Sequence, residues 1–253
     1  MIIVKNPVSR AALKYAPAPQ RTNTWAPVSH SLLANSAANA LEEAGFTIED
    51  ERHGLARNGL RYFGGFKISR NDLQDNTRKL VFGIRNGNDR TMSAAACAGM
   101  SMIVCENMSF SSEVKLAQRH VVNVEDRLPI MLAGVIARLS ESFEDSGRRI
   151  SNYQNTEVGI DEVCKLAIDM AERKAISPRL IFPIVQEFKN PRHPEFCQPT
   201  LWNLYNSVTE NMKGTSLSEM PARNMLLHQI LDKRAGFKTA LPCAIDMSVL
   251  SDN

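Results

Sequence analysis

The sequence predicts an α+β fold: an N-terminal antiparallel or mixed sheet with flanking helices, followed by a helical C-terminal half. Three observations carry this. Between Arg52 and Arg90 apolar and polar residues alternate with period two, as in half-buried strands. After Ser111 the apolar spacing changes to three and four, the helical period. The chain has 253 residues, 43% hydrophobic and 23% charged, which is enough for a sizeable core and is not the composition of a disordered chain. Residues 1–28 are expected to form an extended N-terminal arm and residues 29–253 a single α+β domain, sheet-containing over 29–110 and mainly helical over 111–253.

Element by element, Pro7, Pro17, Pro19 and Pro27 favour an arm over a helix. Ser29 or Ser31 can cap a helix that runs to about Ala44, with Gly45 as its stop signal. Strands are expected at Phe46–Glu51, Gly59–Ser69 and Lys79–Arg85, where aromatic and branched residues alternate. Arg85-Asn86-Gly87-Asn88-Asp89 is expected to turn, because asparagine and glycine tolerate positive φ. Met92–Ala98 then suggests a short helix of small residues, leading to a strand at Met100–Cys105. Leu128, Leu132, Val135, Ile136, Leu139 and Phe143 mark one face of a long helix, and Ile160–Lys174 a second. Five prolines between Ser177 and Pro199 predict a largely non-helical linker, apart from a turn at Ile184–Phe188. Helices at Thr200–Lys213 and Met220–Arg234 close the chain.

The five cysteines are odd in number and form no CxxC pair, so neither a disulfide framework nor a zinc cluster is indicated and a reducing compartment fits. No run approaches the ~20 apolar residues that span a bilayer. No membrane association is expected, and the expected location is a bacterial host's cytoplasm.

The charge pattern is the best functional clue. The formal net charge is only +3, yet residues 52–90 hold nine Lys or Arg against three Asp. Alternation sets Arg57, Arg61, Phe63, Lys67, Lys79 and Arg85 on one strand face, with Arg90 beyond them, while Leu60, Tyr62, Phe66, Ile68, Leu80, Phe82 and Ile84 fall on the other. A cationic face bearing an aromatic ring suits a phosphate backbone and stacked bases. The plain alternative is a solvated face whose basic side chains cover apolar surface with their stems.

Other signals are weaker. No GxxxxGK[ST], GxGxxG, HExxH or GxSxG occurs, so no catalytic residue, metal site or cofactor is assigned. His193-Pro194-Glu195 lacks the PCxxC partner of zinc deaminases. Glu49, Asp50 and Glu51 beside His53 could meet a cation only with help from elsewhere, since successive strand residues point apart. Gly64-Gly65 leaves room for a bulge or a close approach. A helix starting at Met92 would offer its N-terminus to an anion. Trp25 either packs or stacks on a ligand, and His30, His120 and His228 read as hydrogen-bonded structure.

Five stretches together resemble a family of phage- and plasmid-borne proteins known as domain of unknown function nine-three-two: Trp25–His30, Leu60–Phe66, Gly83–Asp89, Met102–Met108 and Thr200–Asn206. The resemblance implies a mobile-element origin and a single α+β domain, but no reaction. The expected order of helix, three strands and helix is also similar to the core of phage single-strand annealing proteins. The expectation is thus a phage- or plasmid-encoded protein, not an enzyme. It would bind single-stranded DNA or another polyanion through Arg57, Arg61, Phe63, Lys67, Lys79, Arg85 and Arg90, as a homo-oligomer, in annealing or recombination. The alternative is an anti-defence protein that blocks a host defence protein or sequesters a nucleotide signal through Gly64-Gly65 and the helix start at Met92. A hydrolase built on His30, Asp89, His120 or His193 forms a third class.

Overall fold

The structure is a computed structural model that describes the backbone of residues 7–73, 78–102, 108–213, 215 and 219–238, and their side chains except at 78, 100–102, 108–115 and 221. A six-stranded antiparallel sheet fills the N-terminal half and helices follow it, so the fold is α+β. Its strands run in chain order: β1 (Pro7–Val8), β2 (Thr47–Ala56), β3 (Arg61–Ser69), β4 (Arg78–Gly87), β5 (Ala94–Met102) and β6 (Met108–Gln118).

The period-two reading decides the two faces of β3 and β4 correctly. Tyr62, Phe66, Ile68, Leu80, Phe82 and Ile84 are buried on one side, and only Leu60 leaves the set, half-buried in the β2–β3 turn. On this apolar side lie α1 (His30–Glu43) and α2 (Val124–Ile136), which bury Leu33, Leu41, Leu128 and Leu132 in the same core. Helix α1 starts and stops as expected: the Ser29 side chain accepts from the Leu32 amide, and Gly45 follows at φ +80°.

Several elements differ from expectation. Arg10–Tyr15 of the arm forms a 3-10 helix, with Pro7–Val8 paired to Gly54 and His53 of β2. Met92–Ala98 is not a helix: Ala94–Ala98 lies in β5, hydrogen-bonded to β4 and β6 on its two sides. Alanine favours helix by propensity, but two flanking strands with unpaired backbone override so weak a preference. The helical half starts later than Ser111, because β6 runs to Gln118. Of the strand expected at Met100–Cys105, residues 103–105 lie outside the described residues. The long helix through Leu128–Phe143 is broken at Ala137–Arg138 into α2 and α3 (Leu139–Gln154), and no helix-breaking residue marks the break. The proline-rich linker contains α5 (Ile181–Lys189), with Pro183 in its first turn, where no backbone N–H is needed for a helical bond.

From the second half of α3 onward the helices share a second core of Tyr153, Val163, Met170, Ile184, Leu204, Val208 and Leu227, among others. They are α4 (Ile160–Glu172), α5, α6 (Leu201–Asn211) and α7 (Met220–Ala235). Helix α6 is buried at every position from Leu201 to Glu210. One polar network ties α3 to α7: the buried Arg149 forks onto both Asp232 oxygens at 3.0 and 3.1 Å, and the Tyr153 hydroxyl donates to Asp232 at 2.6 Å. Among the described residues no helix is long and apolar enough to cross a membrane.

Candidate nucleic-acid interface

The antiparallel meander brings the β2–β3 turn, the β4–β5 turn and the segment after β6 to one end of the sheet. Residues Thr22–His30 cross this end as a strap, which side chains from β4 and the following turn hold down. Asn88 reads the Val28 backbone in both directions: its Oδ1 accepts from the Val28 N–H at 3.1 Å and its Nδ2 donates to the Val28 carbonyl at 2.9 Å. The Asn86 amide donates to the same carbonyl at 2.7 Å and to His30 Nδ1 at 2.9 Å. His30 therefore carries its proton on Nε2, which donates to the Gly59 carbonyl at 2.9 Å. Gly59 itself sits at φ +84°, and a Cβ there would lie 2.7 Å from Pro17.

The turn around Asn86–Asp89 is thus longer and later than the sequence suggests. β4 continues to Gly87, and the two asparagines serve the strap as well as the turn. Asp89 closes the turn by accepting from the Thr91 hydroxyl and from Arg61 Nε, both at 2.5 Å. Partial burial opposes it, but these hydrogen bonds hold the Asp89 carboxyl below the ordinary carboxylate range.

The strap also carries Trp25. The indole stacks on His120 with ring centroids 5.7 Å apart and 9° between planes, and the Arg90 guanidinium lies over it at 4.8 Å from its centroid. His120 Nδ1 donates to the Ala26 carbonyl at 3.1 Å, while the Ala26 N–H donates to the His120 carbonyl at 3.2 Å.

The seven expected contact residues separate into two groups. Arg57, Arg61, Phe63, Arg85 and Arg90 gather at the turn end, where the Asn88 backbone N–H donates to the Leu60 carbonyl at 2.8 Å and joins the two turns. Arg57 lies not on a strand but in the β2–β3 turn, exposed at φ +52°. Arg90 is exposed at φ +63° in the next turn. Among the described residues no carboxylate pairs with either, whereas Arg61 is engaged by Asp89. Phe63 is half-buried opposite Arg85. Lys67 and Lys79 lie further along the sheet, and Lys79 is paired with Glu49 at 3.0 Å.

The centre of this face is not an open platform. Val81 is 0% exposed and Gly65 and Gly83 are buried. Arg85, opposite Phe63 and nearer the turn end, is half-buried with an Nε that has no hydrogen-bond partner, and burial lowers its pKa while Cys97 acts in the opposite direction. A polyanion can reach the turn end of the sheet more readily than its middle.

Other expected features resolve differently. There is no helix at Met92, so no helix N-terminus offers an anion site there. Gly64 is the close approach its sequence suggests, but the occupant is the chain itself: a Cβ would run into the Tyr62 hydroxyl, which bonds His53 Nδ1 at 2.8 Å. The bulges lie elsewhere, at Ile48/Asp50 and Cys97/Gly99. The surface drawn for the anti-defence reading, Gly64-Gly65 with a helix start, is therefore buried in one part and missing in the other. His193 approaches Glu210 at 3.9 Å, remote in the chain from the strap, and does not join His30, Asp89 or His120 in one cluster. Among the described residues no group of His, Cys, Asp and Glu is arranged to hold a metal ion.

His30, His53, His120 and His228 are all buried, and burial is the main cause that lowers the pKa of each. Below about pH 6.5 the unfolded chain takes up protons that the folded chain refuses, so stability is complete above that pH and is lost as pH falls. Urea denaturation is expected to show stability falling from pH 7 to pH 5.5, each histidine contributing up to about 1.4 kcal/mol per pH unit. A flat profile across that window would show that the four rings are solvated.

A family model with the description Domain of unknown function (DUF932) matches residues 19–229. That span takes in the strap, strands β2 to β6 and most of the helical half. No curated protein and no solved structure matches the chain. Most of the strap, the start of β3 and the end of β4 with the first residues of its turn coincide with three of the five stretches singled out in the sequence, Trp25–His30, Leu60–Phe66 and Gly83–Asp89. The fourth, Met102–Met108, falls largely outside the described residues.

Proposed function

The chain belongs to the DUF932 family, whose function is unknown, and we propose that it is a non-enzymatic protein that grips single-stranded nucleic acid at the turn end of its sheet. The observation that carries this reading is two exposed arginines, Arg57 and Arg90, on adjacent turns without a described carboxylate partner, the second lying over the half-exposed Trp25. Unneutralised guanidinium groups supply phosphate contacts, and an aromatic ring accepts any base. Arg61 and Phe63 support the same end, while Lys67, Lys79 and Arg85 contribute long-range field more than contact. Binding of this kind serves annealing or recombination of mobile-element DNA in a bacterial cytoplasm, with several subunits aligned along one strand. The likeness in element order to annealing proteins adds nothing, because the helix it required at Met92 is a strand.

The test is titration of a labelled oligothymidylate at low and high salt, with the Arg57→Glu, Arg90→Glu double variant alongside. The wild-type protein should bind in about 50 mM salt and weaken steeply as salt rises; the variant should bind at least about tenfold more weakly, with a slope of log affinity against log salt flatter by about two. Absence of binding at about 50 mM salt, or an unchanged variant with a wild-type circular dichroism spectrum, would overturn the proposal.

A further inference from the structure

We infer that Trp25 is a nucleobase-stacking subsite whose place is held in the free protein by the Arg90 guanidinium. The inference rests on the nucleic-acid reading above and goes further, in naming the ring that receives a base and the side chain that must yield to it.

Three features of the stack point this way. The strap fixes the backbone that bears the indole: the Trp25 backbone N–H donates to the Thr22 hydroxyl at 3.2 Å, the Thr22 backbone N–H donates to the Trp25 carbonyl at 2.8 Å, and Asn86 and Asn88 clamp the chain three residues further on. A stacking platform has to be fixed before its ligand arrives, since ordering it afterwards would subtract from affinity. His120 lies nearly parallel to the indole, is 7% exposed, and is tied to the Ala26 backbone, so part of the ring's π surface rests on a rigid neighbour. Arg90, by contrast, is exposed and has no described carboxylate to hold it. A planar cation over an indole makes the same kind of contact that a base makes, and it can be exchanged for one.

Arg90 also sits at φ +63°, a conformation that few residues other than glycine adopt. Once displaced from the ring, its guanidinium remains beside the site and is free to meet the phosphate attached to the incoming base. One residue thus covers the platform in the free state and neutralises charge in the bound state.

The chain has two tryptophans, and Trp202 is only 6% exposed on α6, so the protein reports on Trp25 without redesign. The experiment labels both with 5-fluorotryptophan and follows their fluorine resonances during titration with an oligothymidylate of about 20 nucleotides. A deoxyribose-phosphate chain of equal length without bases is titrated in parallel. The oligothymidylate should shift the Trp25 resonance and leave Trp202 in place. The abasic chain should bind about tenfold more weakly and shift the Trp25 resonance less than the oligothymidylate does, since it brings phosphate to Arg90 but no base to the ring. In Arg90→Ala the Trp25 shift at saturation should be at least as large as in the wild type, because no guanidinium competes for the ring. Equal affinity for the two chains, or oligothymidylate binding with an unmoved Trp25, would overturn the subsite while leaving the phosphate interface standing. If neither chain binds, the functional reading itself fails and the subsite with it.

Discussion

Replacing Asp232 by alanine is expected to destabilise the protein by about 3–5 kcal/mol, because it removes a carboxylate that forks onto an almost wholly buried arginine. The Arg149 side chain is 4% exposed and that of Asp232 15%, and the guanidinium meets the carboxylate through two nitrogens. Two further groups depend on the same carboxylate. The Tyr153 hydroxyl donates to it, and burial together with the Asp232 charge raises the Tyr153 pKa, so that the phenol stays a donor at any physiological pH. His228, 4% exposed, stacks on Tyr205 at 5.3 Å and lies 3.3 Å from the Tyr153 oxygen. Alanine at 232 would take from a buried cation and a buried hydroxyl the carboxylate that both bind, in the core that joins α3 to α7. Urea denaturation measures the loss. An Arg149→Met, Asp232→Leu double variant should be less destabilised than Asp232→Ala, since a matched apolar pair leaves no charge stranded. A loss below about 1 kcal/mol for Asp232→Ala would mean that solvent reaches the pair and screens it.

That network shows where a sequence stops being readable. Arg149 and Asp232 are each unremarkable on their own helices, and only the packing of α3 against α7 brings them together. The faces of β3 and β4, by contrast, follow from alternation alone, because a strand's side chains have no other way to point. Tyr62 and Phe66 could be placed in the core from the pattern, but whether Arg61 and Lys79 were free cations could not. Their partners, Asp89 and Glu49, stand 28 and 30 residues away on elements whose pairing the sequence does not state. The alanine run at 94–98 misleads for a related reason: helix propensity is a local quantity, and β5 is fixed by two neighbours that are not local. Pro183 misleads in the opposite direction, since the proline that suggests a broken chain sits in the one part of a helix that tolerates it.

Asn86 and Asn88 were legible as residues suited to a turn, and their conformational preference accounts for half of what they do. The other half is directed at a segment some sixty residues earlier, which neither spacing nor composition announces. What the sequence did carry was co-occurrence. Trp25–His30 and Gly83–Asp89 both stood out as unusual stretches, and in the fold one grips the other. The histidines follow the same logic. His30 and His120 read as hydrogen-bonded structure without a visible partner, because they bond backbone carbonyls at Gly59 and Ala26 and, for His30, a side chain 56 residues away at Asn86, none of which a sequence displays as a motif.

This clamp yields the second large effect. Asn88→Ala should cost about 2–4 kcal/mol, since it removes two hydrogen bonds and leaves the N–H of Val28, a residue 0% exposed, without its acceptor. Asn88→Asp should be no milder. It keeps an acceptor for that N–H, but it turns a second oxygen toward the Val28 carbonyl and buries a charge with no cation assigned to it. The two variants separate a hydrogen-bond loss from a mere change of shape, for aspartate has nearly the size of asparagine. Because the strap is held chiefly through Val28, His30 and Ala26, its release should precede global unfolding, and trypsin should cut at Arg21 faster in either variant than in the wild type under native conditions. Oligonucleotide affinity should fall with it, although Arg57, Arg61 and Arg90 are all still present, because the indole would no longer be presented beneath Arg90. An Asn88→Ala protein that resists trypsin at Arg21 and retains wild-type stability would show that the strap is held from elsewhere. One that releases the strap and still binds oligothymidylate with full affinity would place the interface on the arginines alone.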